Sequence, residues 1–498
     1  MLLKRAAIIK RIFVFLFLLL CVRLGQIGII NKESLEAMAQ LQQERFVELE
    51  NIRGTITDCH GDNLTGDKKE TLYLASDGSV AREKTKNTFF EFDKIKRTPH
   101  LAKHLIGYTS PDGEGKSGLE KLFNDELKED EKIKLSYVAD AVGSVAGNIE
   151  TTTPKSKRKL RLTIDKQLQT IAEKVMDKHI KKGALVLLDV QSFDVLAMVS
   201  RPSFNEDAVS GYDLSSEGEL LNRALMGYNA GSVFKIVTSA AILEKDENYT
   251  QRYFDCRGSF TLPDGHSFAC NKKDGHGILY FPDSFAGSCN CSFYVTGLEA
   301  GGDAIIAMAK KFGIGKPLLN AELEEAKGNL PQRSIYSQAE ILNLSIGQGE
   351  ILITPLQCAA LAATVANGGI RKEINIVSSL NDGKKSKNLR KTGEERVISE
   401  KTAGIIADMM RRCVTSGTAI NAGESKALIS GKTGSAESGW IDDGKPMVHG
   451  WFCGFFPSDK PKYAMAILSE GGESGSRSCV APFVEIAEKI IENSPLKD

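Results

Sequence analysis

The 498-residue sequence predicts an α+β fold in three parts. They are a single N-terminal transmembrane helix, a small extended N-terminal domain, and a large domain whose antiparallel sheet is flanked by helices and carries a helical subdomain. Three observations predict this. An apolar run follows a basic N-terminus. A polar, turn-rich stretch comes next. Beyond it, strand-like segments stand at both ends of a region with a helical middle.

The N-terminus carries Lys4, Arg5, Lys10 and Arg11, then an apolar run from Ile12 that reaches Ile30 with interruptions at Arg23 and Gln26. Residues 12–30 approach the roughly 20 needed to span a bilayer. No small-x-small cleavage site follows, and "NKESLEAMAQLQQE" continues as a polar helix through about residue 50. An uncleaved anchor is therefore expected, with residues 1–11 cytoplasmic under the positive-inside rule and the rest of the chain extracytoplasmic. Residues 31–155 are polar and only moderately apolar, with short strands and turns around "RGTITDCHGDNLTGD". "TTTPKSKRK" (151–159) is the linker candidate, so the large domain is expected over 156–498.

In that region Leu168, Ile171, Ala172 and Val175 recur at helical spacing. "GALVLLDV" (183–190) and "VLAMVS" (195–200) predict a hairpin. "ALISGKTG" (427–434), "HGWFCGFFP" (449–457) and "YAMAILSE" (463–470) predict three further strands, and "VAPFVEIAEKIIE" (480–492) a closing helix. Hydrophobic residues at 42 %, charged residues at 26 % and a formal net charge of +0 describe an ordinary globular chain. Nothing in that balance points to nucleic acid. The ten cysteines form no C-x-x-C pair and no His-spaced metal pattern, and no H-E-x-x-H occurs. Cys256 and Cys270 flank a hairpin-like stretch and read either as a disulfide or as small buried thiols.

The chemistry starts at "AGSVFKIVTS" (230–239), where Ser232 precedes Lys235 by one turn inside an apolar stretch. If Ser232 opens a helix, the two side chains share a face. A serine hydroxyl needs a base, and a lysine desolvated among Val233, Phe234, Ile236 and Val237 becomes neutral enough to serve. S-x-x-K joins S-x-N and K-T-G in one set of acyl-serine enzymes. Decoys exist for each piece: Ser156/Lys159, Ser386/Asn388 and 391–393 lie in charged or loop-like contexts, and Ser203/Asn205 precedes the nucleophile. The ordered set Ser232/Lys235, Ser288/Asn290 and Lys432/Thr433/Gly434 lies in apolar or small-residue contexts.

With that set the chain resembles class B penicillin-binding proteins, the membrane-anchored D,D-transpeptidases of bacterial cell-wall synthesis. Further segments carry the resemblance: "RGTITDCHG" (53–61), with Cys59 where an arginine is frequent, "GYTSPDGEGKSGLEKLFNDEL" (107–127), "SIGQGEILITPLQCAALAATVANGG" (345–369), "CVTSGTA" (413–419) and "HGWFCGFFP". The resemblance implies Ser232 as acylated nucleophile and Lys235 as its base. It implies Ser288 as proton relay and Asn290 as holder of the substrate amide and the lysine. Lys432 would add positive potential, and Thr433, Gly434 and Ser435 would bind the substrate carboxylate. The Ser232 and Ser435 N–H groups would form the oxyanion hole.

Peptidoglycan stem peptides and β-lactams are the implied ligands. A polytopic glycosyltransferase of the shape, elongation, division and sporulation family is the implied partner. No metal or organic cofactor is implied. Cys289, Cys291 and Cys453 read as packing residues near the cleft. A class A β-lactamase would need a glutamate where "AEILN" (339–343) has Ala339. A catalytically idle scaffold is the remaining alternative.

Overall fold

The computed structural model describes residues 2–110, 113–140, 142–206, 209, 218–333, 336–442 and 444–493. The chain forms two compact units that interleave in sequence: residues 1–52, 67–97 and 128–155, and residues 53–66, 98–127 and 156–498. The 155/156 division coincides with the linker candidate. Residues 53–66 and 98–127, expected within the N-terminal domain, belong to the second unit.

The first unit begins with the helix Leu2–Gly25, continued by the π-helical turn Gln26–Ile30. The stretch Leu3–Ile30, whose most apolar 18-residue window has a mean hydropathy of 2.4, is long and apolar enough to cross a membrane. The expected polar helix covers only Lys32–Gln43, and Glu44–Arg53 is a strand. Val47 and Leu49 alternate onto a small core built from Leu72, Leu74, Phe92, Leu135 and Tyr137. Period 2 there outweighs the helix propensity of the glutamates. That strand forms one edge of a three-stranded sheet with Lys128–Ala139 and Val145–Thr152.

In the second unit, Thr55–Thr57 pairs in parallel with Lys159–Leu162. Arg53 fixes this segment: its Nε and NH2 donate to Glu120 Oε2 at 3.0 and 2.8 Å, both side chains nearly fully buried. The central sheet is five-stranded and antiparallel, in the order Val195–Arg201, Gly183–Asp189, Tyr463–Ser469, Lys445–Phe456, Ser430–Asp442. Hairpin and C-terminal strands thus assemble one sheet from both ends of the domain. "ALVLLD" is apolar at nearly every position because both faces are covered. Ala184, Val186 and Leu188 face one core cluster, with Phe234, Val237 and Leu361. Leu185 and Leu187 face the other, with Val175, Met176, Phe483 and Ile486 of the helices Lys166–His179 and Val480–Asn493.

The last hairpin runs longer than expected, the strand over 427–434 becoming Ser430–Asp442. This strand is one of the sheet's two edges. The helical subdomain holds Lys235–Leu243, Phe281–Ala286, Asn290–Ala300, Gly302–Lys311, Gln338–Ser345 and Pro355–Ala366. Capping boxes at Ser337/Glu340 and Thr354/Gln357 start the last two.

Candidate active site

Ser232 does not open an α-helix. It lies in the 3₁₀ turn Gly231–Phe234, which runs directly into the helix Lys235–Leu243. Gly231 makes the entry possible. Its φ is +56°, and a Cβ there would stand 2.6 Å from Ser435 O. On the other side, a Cβ at Gly434 would stand 3.3 Å from Val233 N. Both neighbours of Ser232 therefore press against the edge strand at Gly434–Ser435. From below, Gly231 N donates to Gly347 O at 2.8 Å, and Thr238 Oγ1 to Ser345 O at 2.9 Å. From the side, Trp451 Nε1 donates to Asn229 O at 2.9 Å. The turn is held on three sides, and Ser232 is half-buried.

Lys235 is fully buried. Its Nζ donates to Ser288 O at 2.7 Å and to Asn290 Oδ1 at 2.8 Å, and lies 3.2 Å from Ser288 Oγ. Lys432, also fully buried, donates from Nζ to the same Ser288 Oγ at 3.0 Å and to Thr433 O at 3.0 Å. One hydroxyl thus links two buried lysines. The ring of Phe293 lies 5.2 Å from Lys235 Nζ and that of Phe285 5.7 Å from Lys432 Nζ. Burial pushes the Lys235 pKa well below its ordinary value, and the charge on Lys432 pushes it the same way. Burial also lowers that of Lys432. Among the described residues the Ser232 hydroxyl has no hydrogen-bond partner. A base and nucleophile that meet only when substrate closes the site are common in free enzymes.

Ser288 sits between the helices Phe281–Ala286 and Asn290–Ala300 with a φ of +56°. Such backbone costs about 1–2 kcal/mol for a residue with a side chain and turns both its groups toward the lysines. Thr433 and Thr418 hydroxyls are hydrogen-bonded to each other. Ser435 is exposed on the edge strand, and its Oγ accepts from Gly475 N at 3.2 Å. Gly434 stays a glycine because its Cβ would press Val233 and Trp451, at 3.0 and 3.1 Å.

Lys235, Ser288, Asn290 and Lys432 are therefore joined by hydrogen bonds, and Ser232, Thr433, Gly434 and Ser435 lie along the strand edge beside them. The decoys sit elsewhere: Ser203, Ser386 and Lys391 are exposed. Sequence reasoning gave no role to Thr418, Gly347, Gly475, Phe285 or Phe293. The quoted segments "CVTSGTA" and "SIGQGE" held two of them, but only the fold reveals their partners.

All ten cysteines are free thiols. Cys256 and Cys270 do flank a hairpin, Ser259–Thr261 with Ser267–Ala269. They are not joined to each other, and they gather with Cys289 and Cys291 in one buried cluster. A cavity of about 230 Å³ lined by His104, Lys121, Phe204 and Met226 contains none of the site residues.

Residues 183–492 match the family model for the penicillin binding protein transpeptidase domain. The chain is 27 % identical to stage V sporulation protein D of Bacillus subtilis, across 93 % of this chain and 81 % of that one. It is 30 % identical to the peptidoglycan D,D-transpeptidase PbpA of Mycolicibacterium smegmatis, across 77 % and 80 % of the two chains. A solved peptidoglycan synthase complex, studied for its coordination of polymerization and crosslinking, shares the fold at a TM-score of 0.73 and 23 % identity, covering 99 % of this chain and 100 % of that one.

Proposed function

For a chain that belongs to the penicillin-binding protein transpeptidase family, we propose a membrane-anchored peptidoglycan D,D-transpeptidase that cross-links stem peptides through an acyl-Ser232 intermediate. The observation that carries this reading is the pair of fully buried lysines meeting at Ser288 Oγ, one of them a single turn after Ser232.

A neutral Lys235 donates two protons, to Ser288 O and Asn290 Oδ1, and keeps a lone pair for a hydroxyl. As the Ser232 hydroxyl attacks the penultimate D-Ala carbonyl, its proton passes to Lys235. The backbone N–H groups of Ser232 and Ser435 face the developing oxyanion. Ser288, bridging both lysines, hands a proton to the departing amine, and free D-alanine leaves. An amine of a neighbouring stem peptide then attacks the ester, loses its proton along the same path, and restores the Ser232 hydroxyl. Thr433, steadied by Thr418, and Ser435, steadied by Gly475, take the donor carboxylate, and Lys432 supplies the positive field behind them.

A β-lactam is attacked in the same way, but its leaving group stays tethered and blocks the acceptor. In a class A β-lactamase a positioned glutamate drives fast hydrolysis of that ester. Ala339 offers none, and the adjacent Glu340 carboxylate is already held by Ser337 at 2.8 Å in the helix cap.

The basic residues before the apolar helix orient it with residues 1–11 in the cytoplasm, the anchor over 12–30, and the rest of the chain outside. Residues 31–155 form a pedestal that lends 53–66 and 98–127 to the transpeptidase domain. The anchor and pedestal take as partner a polytopic glycosyltransferase of the shape, elongation, division and sporulation family. The similarity to a synthase complex that couples polymerization to crosslinking supports this partner. The test is a reaction of full-length protein with pentapeptide-bearing glycan. Free D-alanine and a cross-linked product, both absent with Ser232→Ala, are expected. Release of D-alanine that persists in the variant would contradict the assignment.

A further inference from the structure

Two basic runs that the catalytic chemistry leaves unused meet on one sheet. "KRKLR" (157–161) holds four positive side chains and "KKSKNLRK" (384–391) five, with no acid in either, in a chain whose formal net charge is +0. The strand Lys159–Leu162 pairs with Val377–Asn381, which pairs in turn with Ser386–Asn388. Lys159 and Ser386 both stand opposite Asn381. The two runs therefore flank a single strand, about 10 Å apart at the usual spacing of about 4.8 Å between strands. The turn that joins the last two strands is tightly bonded. Asn381 Oδ1 accepts from Gly383 N at 2.8 Å, and Asp382 Oδ1 accepts from Lys384 N at 2.8 Å and Lys385 N at 2.7 Å. A Cβ at Gly383 would stand 3.3 Å from Lys157 Cβ, so the turn leans on the first run.

Some of these charges have structural work. Arg390 NH1 donates to both carboxylate oxygens of Asp194, at 2.7 and 2.8 Å, and Arg158 NH1 donates to Asp125 O and Glu126 O. Lys159, Lys384, Lys385 and Lys387 do not. All four are exposed, and among the described residues none of them makes a salt bridge. Like charges side by side on a sheet are destabilising, so the fold gains nothing from gathering them. A polyanion supplies counter-charge at several points at once. No large apolar side chain is exposed among the lysines: Leu160 and Leu162 are buried, and Leu380 and Leu389 half-buried. That fits a hydrated polymer rather than a lipid surface, which also takes apolar side chains. The face lies away from the catalytic strand. Thr163 N donates to Ile376 O at 3.0 Å and Thr163 Oγ1 to Val195 O at 2.7 Å, joining this sheet to Val195–Arg201. That strand and Ser430–Asp442 are the opposite edges of the central sheet, about 19 Å apart at the same spacing.

We infer that Lys159, Lys384, Lys385 and Lys387 form an exosite for the substrate polymer, binding stem-peptide carboxylates of an uncross-linked peptidoglycan strand while another of its stems occupies the Ser232 cleft. The inference rests on the transpeptidase reading, which supplies a polymer whose uncross-linked stems each end in a carboxylate. An exposed lysine–carboxylate contact is weak, roughly 1.4- to 5-fold in affinity. Contacts along one polymer act together, because once one stem is held the next engagement is intramolecular. Exposed contacts are also screened by salt, so binding at this face falls as ionic strength rises.

The test uses full-length protein in phosphatidylcholine nanodiscs, carrying Ser232→Ala so that binding is read without turnover. The probe is uncross-linked pentapeptide-bearing glycan, and its control is the same polymer with the carboxylates methyl-esterified. The quadruple variant Lys159→Gln, Lys384→Gln, Lys385→Gln and Lys387→Gln is expected to bind the probe at least about fourfold more weakly, with a shallower salt dependence. The four corresponding Lys→Arg changes are expected to restore binding, and the esterified polymer to bind with or without the lysines alike. With Ser232 present, the quadruple variant is expected to need more polymer for half-maximal D-alanine release and to be acylated by penicillin at the parent rate. Equal binding of the probe with and without the four lysines would overturn the exosite. So would a lysine effect that survives esterification, or penicillin acylation slowed in step with binding, which is the mark of a structural role. Phosphatidylglycerol vesicles that bind only when the lysines are present, with polymer binding unchanged, would overturn it in favour of an anionic membrane. Failure of the transpeptidase reading looks different: D-alanine release then persists in Ser232→Ala, whatever the lysines do.

Discussion

Ser288→Ala removes one oxygen and tests the centre of the site. Its Oγ is 3.2 Å from Lys235 Nζ and 3.0 Å from Lys432 Nζ. The substitution leaves Lys235 with the main-chain oxygen of residue 288 and with Asn290 Oδ1. Lys432 is left with Thr433 O alone. Hydrogen bonds to charged groups contribute about 1.5–3 kcal/mol each. The cost therefore falls mainly on Lys432, and a loss of about 10- to 100-fold in acylation rate follows at about 1.4 kcal/mol per decade. The assay is the second-order rate constant for a fluorescent penicillin, measured on the parent, Ser288→Ala, Lys432→Met and the double variant. Groups joined by a hydrogen bond couple by about 0.5–3 kcal/mol, so the double variant is expected to be less impaired than the product of the two losses. Additivity within about 0.5 kcal/mol would refute the shared-hydroxyl account, as would Ser288→Ala acylating within threefold of the parent.

Lys432→Met also removes a positive charge from beside Lys235. A general base works only when unprotonated, so acylation is present above the Lys235 pKa and lost as pH falls through it. Burial lowers that pKa first and Lys432 lowers it further, against the thiols of Cys289, Cys270 and Cys291, which raise it. The ascending limb of the pH–acylation profile is therefore expected to move to higher pH in Lys432→Met, and an unmoved limb would contradict the coupling. Gly231→Ala forces a Cβ to within 2.6 Å of Ser435 O at φ +56°, so a stability loss of at least about 1–2 kcal/mol and slowed acylation are expected, read by thermal melting and labelling. Arg53→Met takes the guanidinium from Glu120, whose side chain is 3 % exposed, and is expected to cost about 3–5 kcal/mol in denaturant unfolding of the full chain.

The grouping of the candidate site residues was legible because each piece of it is a short spacing. Ser232/Lys235 share a turn, and apolar context separated Lys432 from its decoy at Lys391. The central sheet was legible because "GALVLLDV" and "YAMAILSE" are too continuously apolar for exposed strands. The strand Glu44–Arg53 was not. Its pairing partner lies in Lys128–Ala139, and its glutamates mimic a helix. The interleaving of the two units was equally hidden, because the Arg53–Glu120 pair that fixes it spans much of the N-terminal region. The free thiols illustrate the same limit. Cys256, Cys270, Cys289 and Cys291 are brought together by two hairpins and a helix cap, and no local pattern encodes that meeting.

Intact mass of the full-length protein after penicillin treatment tests the central claim most directly, with Ser232→Ala alongside and a chase with unlabelled drug over hours. The account predicts one stable adduct on the parent, localised to Ser232 and absent from the variant. An adduct that persists in Ser232→Ala, or that is lost from the parent within seconds, would contradict it.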